Sequence, residues 1–354
     1  MTQDASRPVL VTGATGYLAG WIVRRLLEEG FTVHAAVRDP DNEAKTSHLK
    51  AMEADLPGAL VLFKADLLEE GSYGPAMDNC HIVFHTASPF TLDVKDPQRD
   101  LVDPAVKGTN NVLQTANRTE SVERVVLTSS CAAIYGDNAD VAKAPGGVLT
   151  EAVWNRSSSL DHQSYSFSKV EAETAAWKIA EAQDRWRLVT INPALIVGPG
   201  TADTQTSESF NLMRQLGGGT MKAGAPGYEI GLVDVRDVAE AHLKGALLPE
   251  AEGRHIVYAD HHSLLELAKM LREEFGDGWP FPTRELPKWL VWLLGPITNK
   301  AITRKMVALN MGYPWRADNS KSKEALGMKY RSIRSSVTDM FRQMIETGAV
   351  KKGD

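Results

Sequence analysis

Over the first 130 residues, short runs of apolar and β-branched positions alternate with longer stretches of helical periodicity. Pro8–Thr12, Thr32–Val37, Ala59–Phe63, Ile82–Phe84 and Val125–Thr128 read as strands, with a further one at Leu188–Ile191. Leu18–Gly30, Pro104–Arg118 and Tyr165–Asp184 read as helices. The strands are almost continuously apolar, which is the pattern of strands covered on both faces. Their alternation with helices predicts an α/β protein with a doubly wound parallel sheet. After Pro199 the pattern changes: Gly, Pro, Trp and amphipathic helical pieces dominate, and the strand–helix rhythm survives only in Gly231–Leu247 and Arg254–Phe275. The expected organisation is a sheet domain of residues 1–199 plus 231–275, a smaller C-terminal lobe of 200–230 plus 276–330, and a closing helix and tail over 331–354.

Composition narrows the class. With 354 residues, 43% apolar and 24% charged, the chain has the profile of a soluble globular protein. Its 39 Lys+Arg against 45 Asp+Glu give a net charge of −6, so there is no overall basic field to hold a nucleic acid or an anionic membrane. Two isolated cysteines, Cys80 and Cys131, speak against a disulfide framework and a cysteine metal site, and no metal is expected. The best apolar run, Trp289–Leu294, is six residues long and is stopped by Gly295-Pro296, far short of the roughly 20 that a membrane span needs. The polar N-terminus does not read as a signal peptide, so a cytoplasmic address is expected. His81 and His85 flank a strand rather than sharing a helix face, and His261-His262 reads as a solvated loop pair. Trp289 and Trp292 read as core or lobe packing, with a substrate wall or a membrane-surface contact as the alternative.

The candidate chemistry starts at Gly13-Ala-Thr15-Gly16-Tyr17-Leu18-Ala19, which follows a strand and opens a helix. Gly13 suits a tight turn, and Gly16 suits close backbone approach to a pyrophosphate at the helix N-terminus. The second strand ends Ala36-Val37-Arg38-Asp39. Val37 stands where a ribose-binding carboxylate is expected, and the adjacent Arg38 guanidinium suits a 2′-phosphate, with Lys45 as a second cation. This points to NADP(H); Asp39 acting as the ribose ligand would point to NAD instead. Tyr165 and Lys169 are four residues apart, so on a helix they share one face. An isolated phenol titrates near 10, and a neighbouring ammonium favours its ionised form, which suits acid–base work. Ser130 closes a strand at the edge where open α/β sheets bind ligands, placed to hold a substrate oxygen.

Together these motifs resemble the extended short-chain dehydrogenase/reductases, Rossmann-type proteins with a smaller substrate lobe. Ala36–Pro40, Lys64–Leu67, Val83–Pro89, Asn192-Pro193, Glu252–Arg254 and Asp318–Lys323 are similar to the dihydroflavonol reductase and cinnamoyl-CoA reductase group. The resemblance implies a catalytic triad of Ser130, Tyr165 and Lys169. It implies cofactor contacts from Gly13, Thr15, Gly16, Tyr17, Leu18, Arg38, Lys45, Asp66, Leu67, Thr86, Ala87, Ser88, Thr128, Tyr165, Lys169, Pro193 and Ile196. Tyr135 stands where dihydroflavonol reductases place an Asn that grips the flavonoid, so microbial aldehyde and ketone reductases are the better comparison. The expected substrate is an uncharged hydrophobic or aromatic carbonyl compound, walled by Phe90, Cys131, Tyr135, Phe210 and Tyr228, and the expected assembly is a monomer or homodimer. Two rivals share the fold: nucleotide-sugar epimerases or dehydratases, and non-catalytic NADP-sensing regulators.

Overall fold

The computed structural model describes residues 5, 7–88, 94–203, 207–298 and 302–352. The strands are β1 (Val9–Thr12), β2 (Thr32–Val37), β3 (Ala59–Lys64), β4 (Ile82–His85), β5 (Arg124–Thr128), β6 (Arg187–Pro193), β7 (Leu195–Val197), β8 (Ala225–Pro226), β9 (Glu229–Asp234), β10 (Gly253–Val257), β11 (Asp260–Ser263) and β12 (Glu285–Leu286). The helices are α1 (Tyr17–Glu28), α2 (Glu43–Asp55), α3 (Gly74–Met77), α4 (Asp103–Arg118), α5 (Ser164–Glu181), α6 (Glu208–Gly217), α7 (Val235–Leu247), α8 (Leu264–Phe275), α9 (Lys288–Thr298), α10 (Arg304–Asn310), α11 (Ser320–Ala325) and α12 (Ile333–Glu346).

Seven parallel strands form the main sheet in the order β10-β6-β5-β4-β1-β2-β3. The chain winds outward from β1 in one direction and from β4 in the other, so the strand order reverses between these two neighbours. Ligands of open α/β sheets bind in the crevice at the C-terminal ends of such a pair. Here Thr12 and His85 are register partners at that point. Both faces of the sheet are covered, as its unbroken apolar strands require. Leu18–Leu27 of α1 and Val235–Ala246 of α7 pack on one face, and Val112–Ala116 of α4 with Ala176 of α5 pack on the other.

A separate core assembles the C-terminal lobe. Phe210 and Met213 of α6 meet Leu264–Leu271 of α8, Trp279, Phe281 and Ile333–Met344 of α12. A small antiparallel pairing of β9 with β11 adjoins it, and Trp315, fully buried, closes over Gly231. A Cβ at Gly231 would stand 2.3 Å from the Trp315 ring, so only glycine fits there. His261 and His262 belong to β11, not to a loop: backbone pairing with Gly231 and Ile230 extends them, overriding the turn-like local sequence. Nor do Trp289 and Trp292 pack inside, being 67% and 42% exposed on α9. Among the described residues, no helix is long and apolar enough to cross a membrane.

Among the described residues three histidines are the most deeply buried: His85 on β4, His242 on α7 and His255 on β10. Burial, joined at His85 by the Lys169 charge and at His255 by that of Lys321, pushes them down to about 3, 4 and 4 respectively. An unfolded chain protonates histidine near 6.5, so between that pH and about 4 the unfolded state takes up more protons than the native one. The stability these neutral histidines contribute is therefore complete above pH 6.5 and drains away on acidification. The urea midpoint should fall steeply from pH 6.5 to 4.5, and less steeply in His242→Gln. A midpoint that is flat across this interval would contradict the assignment of neutral buried histidines.

Candidate active site

The sheet's reversal point is held together by Thr12. Its hydroxyl accepts hydrogen bonds from the backbone N–H groups of Thr86 and Ala87 at 3.1 and 3.0 Å and pairs with His85 Nδ1 at 3.0 Å. Thr86 Oγ1 in turn donates to Thr12 O. The β4 exit, Thr86-Ala87-Ser88, is thereby fixed against the β1 exit. Gly13 makes this close approach possible: its φ is +64°, and a Cβ there would meet the backbone and side chain of Ala87 at 3.2 Å. The chain then turns on a Gly16 N–H bond to Gly13 O at 2.8 Å, and Gly16 caps α1. The N–H groups of that first turn have no intrahelical partner, which suits an anion at this end of the helix.

The expected cofactor contacts divide by what their side chains do. Arg38 and Lys45 are exposed, at the end of β2 and in the first turn of α2. The Asp39 carboxylate accepts from Asp41 N–H at 3.2 Å, within its own turn. Asp66 likewise accepts from Leu68 N–H at 2.8 Å, and Asn111 holds this loop by donating to Leu67 O and Glu69 O. Tyr17 donates to Gly198 O at 2.6 Å, and Leu18 is buried in the core, so both are structural through their side chains. Thr15 is half-buried beside Gly16. Thr128 lines the crevice between Ser88 and Lys169, although its hydroxyl is taken by His242 Nε2 at 2.7 Å. Pro193 ends β6 and half-buried Ile196 lies on β7.

Tyr165 and Lys169 stand on the first two turns of α5, one 47% exposed and the other 9%. The Lys169 ammonium lies 5.6 Å from the centre of the Tyr165 ring and donates to Ser88 Oγ at 3.1 Å. Phenol, ammonium and the β4 exit thus meet in one place. Ser130 follows β5 in an extended conformation, caps the short turn Cys131–Ala133, and accepts from Ala132 N–H at 3.1 Å. That turn packs directly on α5.

What holds α5 in place involves residues to which the sequence reading gave no role. Glu173, one turn beyond Lys169, is 1% exposed, and its carboxylate accepts from Arg254 at 2.7 Å, Asn192 at 2.8 Å and the Ser129 hydroxyl. Arg254 also donates to Glu151 O and Val153 O at 2.7 Å and stacks on Trp154. A second anchor sits at the helix start. Buried Asp137 binds His162 Nε2 at 2.6 Å, Gln163 Nε2 at 3.1 Å and Asn310 Nδ2 at 2.7 Å. Gln163, which caps α5, takes a left-handed conformation (φ 55°, ψ 48°), uncommon for a residue with a side chain. The sequence signal for Glu173 was the i, i+4, i+8 spacing of Tyr165, Lys169 and Glu173; nothing local marked Asp137.

The expected substrate wall is only partly assembled. Phe210 is 4% exposed and meets Tyr17 edge-on, so it fills the lobe core rather than facing a cleft. Cys131 is buried, its thiol donates to Asn192 O, and burial pushes its pKa up, which leaves it inert. Tyr135 packs against Trp315. Tyr228 is half-buried and lines a polar cleft with Glu229, Glu266 and Tyr313. Phe90 lies outside the described residues.

Known proteins resemble this chain in sequence and fold. The chain is 40% identical over 290 residues to a cinnamoyl-CoA reductase of Medicago truncatula, covering 81% of this chain and 85% of the relative. It is 35% identical over 348 residues to tetraketide alpha-pyrone reductase 1 of Arabidopsis thaliana, covering 98% of each. Among solved structures, yeast methylglyoxal/isovaleraldehyde reductase Gre2 complexed with NADPH superposes with a TM-score of 0.77 at 27% identity, covering 97% of this chain and 99% of that one. The NAD dependent epimerase/dehydratase family pattern matches residues 9–258. With its glycine turn at the sheet's reversal point and this match over most of its length, the chain belongs to that family, the extended short-chain dehydrogenases/reductases.

Proposed function

We propose that the protein reduces an aldehyde or ketone to an alcohol with NADPH, using Ser130, Tyr165 and Lys169. The observation that carries this reading is the half-exposed Tyr165 phenol beside a buried lysine that reaches the β4 exit. The reductases among the relatives support the reaction class. The residues present fit the cofactor: Gly13 turns with φ +64°, exposed Gly16 caps α1 at an N-terminus that suits a pyrophosphate, and exposed Arg38 and Lys45 suit a 2′-phosphate. Bound NADPH supplies the hydride that the carbonyl carbon accepts. Tyr165 gives the proton to the carbonyl oxygen. Lys169, beside the phenol, stabilises the negative charge that develops on it, and solvent returns the proton. Ser130 orients the carbonyl by a hydrogen bond. His85 is held neutral by burial, so it does not compete as an acid. Half-buried Leu195 and Ile196 supply apolar surface, which favours uncharged hydrophobic or aromatic carbonyl compounds. A dehydratase reading gains nothing from the residue beside Ser130, because Cys131 is a buried thiol.

Tyr165→Phe removes one oxygen and should lower kcat by at least about 10²-fold with cofactor affinity kept, as read from loss of NADPH absorbance with aryl aldehydes and ketones. Retention of most activity would place the proton donor elsewhere. Arg38→Ala should weaken NADPH binding by roughly 1.5–3 kcal/mol, the range for a hydrogen bond to a charged group, and leave NADH nearly unchanged. Equal kcat/KM for the two cofactors in the unmodified protein would refute the assignment of Arg38.

A further inference from the structure

The exposed apolar surface is concentrated on one helix. Of the nine large hydrophobic side chains exposed among the described residues, five lie on α9: Trp289, Trp292, Leu293, Leu294 and Ile297. Positions 289, 292, 293 and 297 follow i, i+3, i+4 and i+8, which is one stripe of a helix. The opposite side is the one that packs. Val291 joins Val307 and Met311 in a small core, and a Cβ on Gly295 would stand 2.6 Å from Ile302. The helix is therefore held to the protein by its small face and turns its large apolar face to water. A contiguous face of this kind marks a contact surface.

Charge identifies the partner. From Pro287 to Ala317 the sequence holds Lys288, Lys300, Arg304, Lys305 and Arg316 and no Asp or Glu, in a chain whose net charge is −6. The Arg304 guanidinium lies 4.7 Å over the Trp292 ring, at the patch itself, and Lys305 beside it is exposed. Lys288 is already engaged, donating to Ala308 O and Met311 O and so tying α9 to α10. We infer that α9 docks in the plane of a bilayer surface containing anionic lipid, with its Trp, Leu and Ile side chains at the headgroup–acyl boundary and Arg304 and Lys305 against lipid phosphates. A second copy fits less well. A two-fold contact sets a patch against itself, and this stretch offers cations with no carboxylate to meet them. Docking is independent of the reaction proposed above, because no residue of α9 or α10 belongs to the catalytic or cofactor-binding set.

Flotation of the intact protein with vesicles tests this. The protein should rise with phosphatidylcholine vesicles containing phosphatidylserine, at least about fivefold more than with phosphatidylcholine alone, and concentrated salt should erase the difference. The double variant Trp289→Ser/Trp292→Ser should lose about tenfold or more in partition, and Arg304→Glu about fivefold or more on the anionic vesicles, with NADPH turnover in solution unchanged in both. Absence of flotation, or equal flotation on both vesicle types, would overturn the inference. So would a concentration-dependent dimer in analytical ultracentrifugation that the double tryptophan variant dissolves, since the face would then belong to a second copy.

Discussion

The Glu173 carboxylate is removed from water, and a buried carboxylate persists only where a cation and hydrogen-bond donors surround it. Arg254 from β10, Asn192 from β6 and Ser129 from the end of β5 meet that need. Each partner comes from a different strand, so satisfying one charge fixes α5 against three strands at once. Such a pair adds little net stability over a well-packed apolar alternative, but removing one member leaves a buried charge uncompensated and costs about 3–5 kcal/mol. What it supplies here is position: one turn away, Lys169 reaches Ser88, and two turns away Tyr165 stands at the crevice. Asp137 does the same at the helix start by holding His162 and Gln163. The reacting groups are few, and most of the buried polar chemistry serves to aim them.

Much of the sheet was legible because parallel strands buried on both faces leave an unbroken apolar signature. β2 matches its expected span, Thr32–Val37, and the glycine turn stands between β1 and α1 as the motif required. The Tyr165–Lys169 pairing was legible for a similar reason, since helical spacing alone puts the two on one face. What sequence could not supply was long-range pairing. Glu173 and Arg254 are 81 positions apart, and Asp137 and Asn310 are 173 apart, so neither contact leaves a local pattern. The burial of Phe210 in the lobe core was not legible for the same reason: an aromatic in an amphipathic helix is indistinguishable, by sequence, from one lining a cleft. The histidine pair at 261–262 joined β11 because its partner strand lies about thirty residues away and overrides local preference.

The two lobes place different demands on their surfaces. In the sheet domain, polar groups are gathered inward and neutralised in pairs. On α9 the apolar side chains are left outside, and the charged residues from Pro287 to Ala317 are all cations, against the overall balance of the chain. A net charge of −6 therefore conceals a local basic, aromatic face, which whole-chain arithmetic cannot show.

The account depends most on Glu173 positioning α5. Amide hydrogen exchange over Ser164–Ala172 in Glu173→Gln, measured beside the unmodified protein, tests it directly. The account predicts exchange at least about tenfold faster along this stretch, equivalent to roughly 1.4 kcal/mol of lost local stability, with β1–β3 unchanged and carbonyl reduction impaired. Unaltered protection of α5 together with full activity would contradict it.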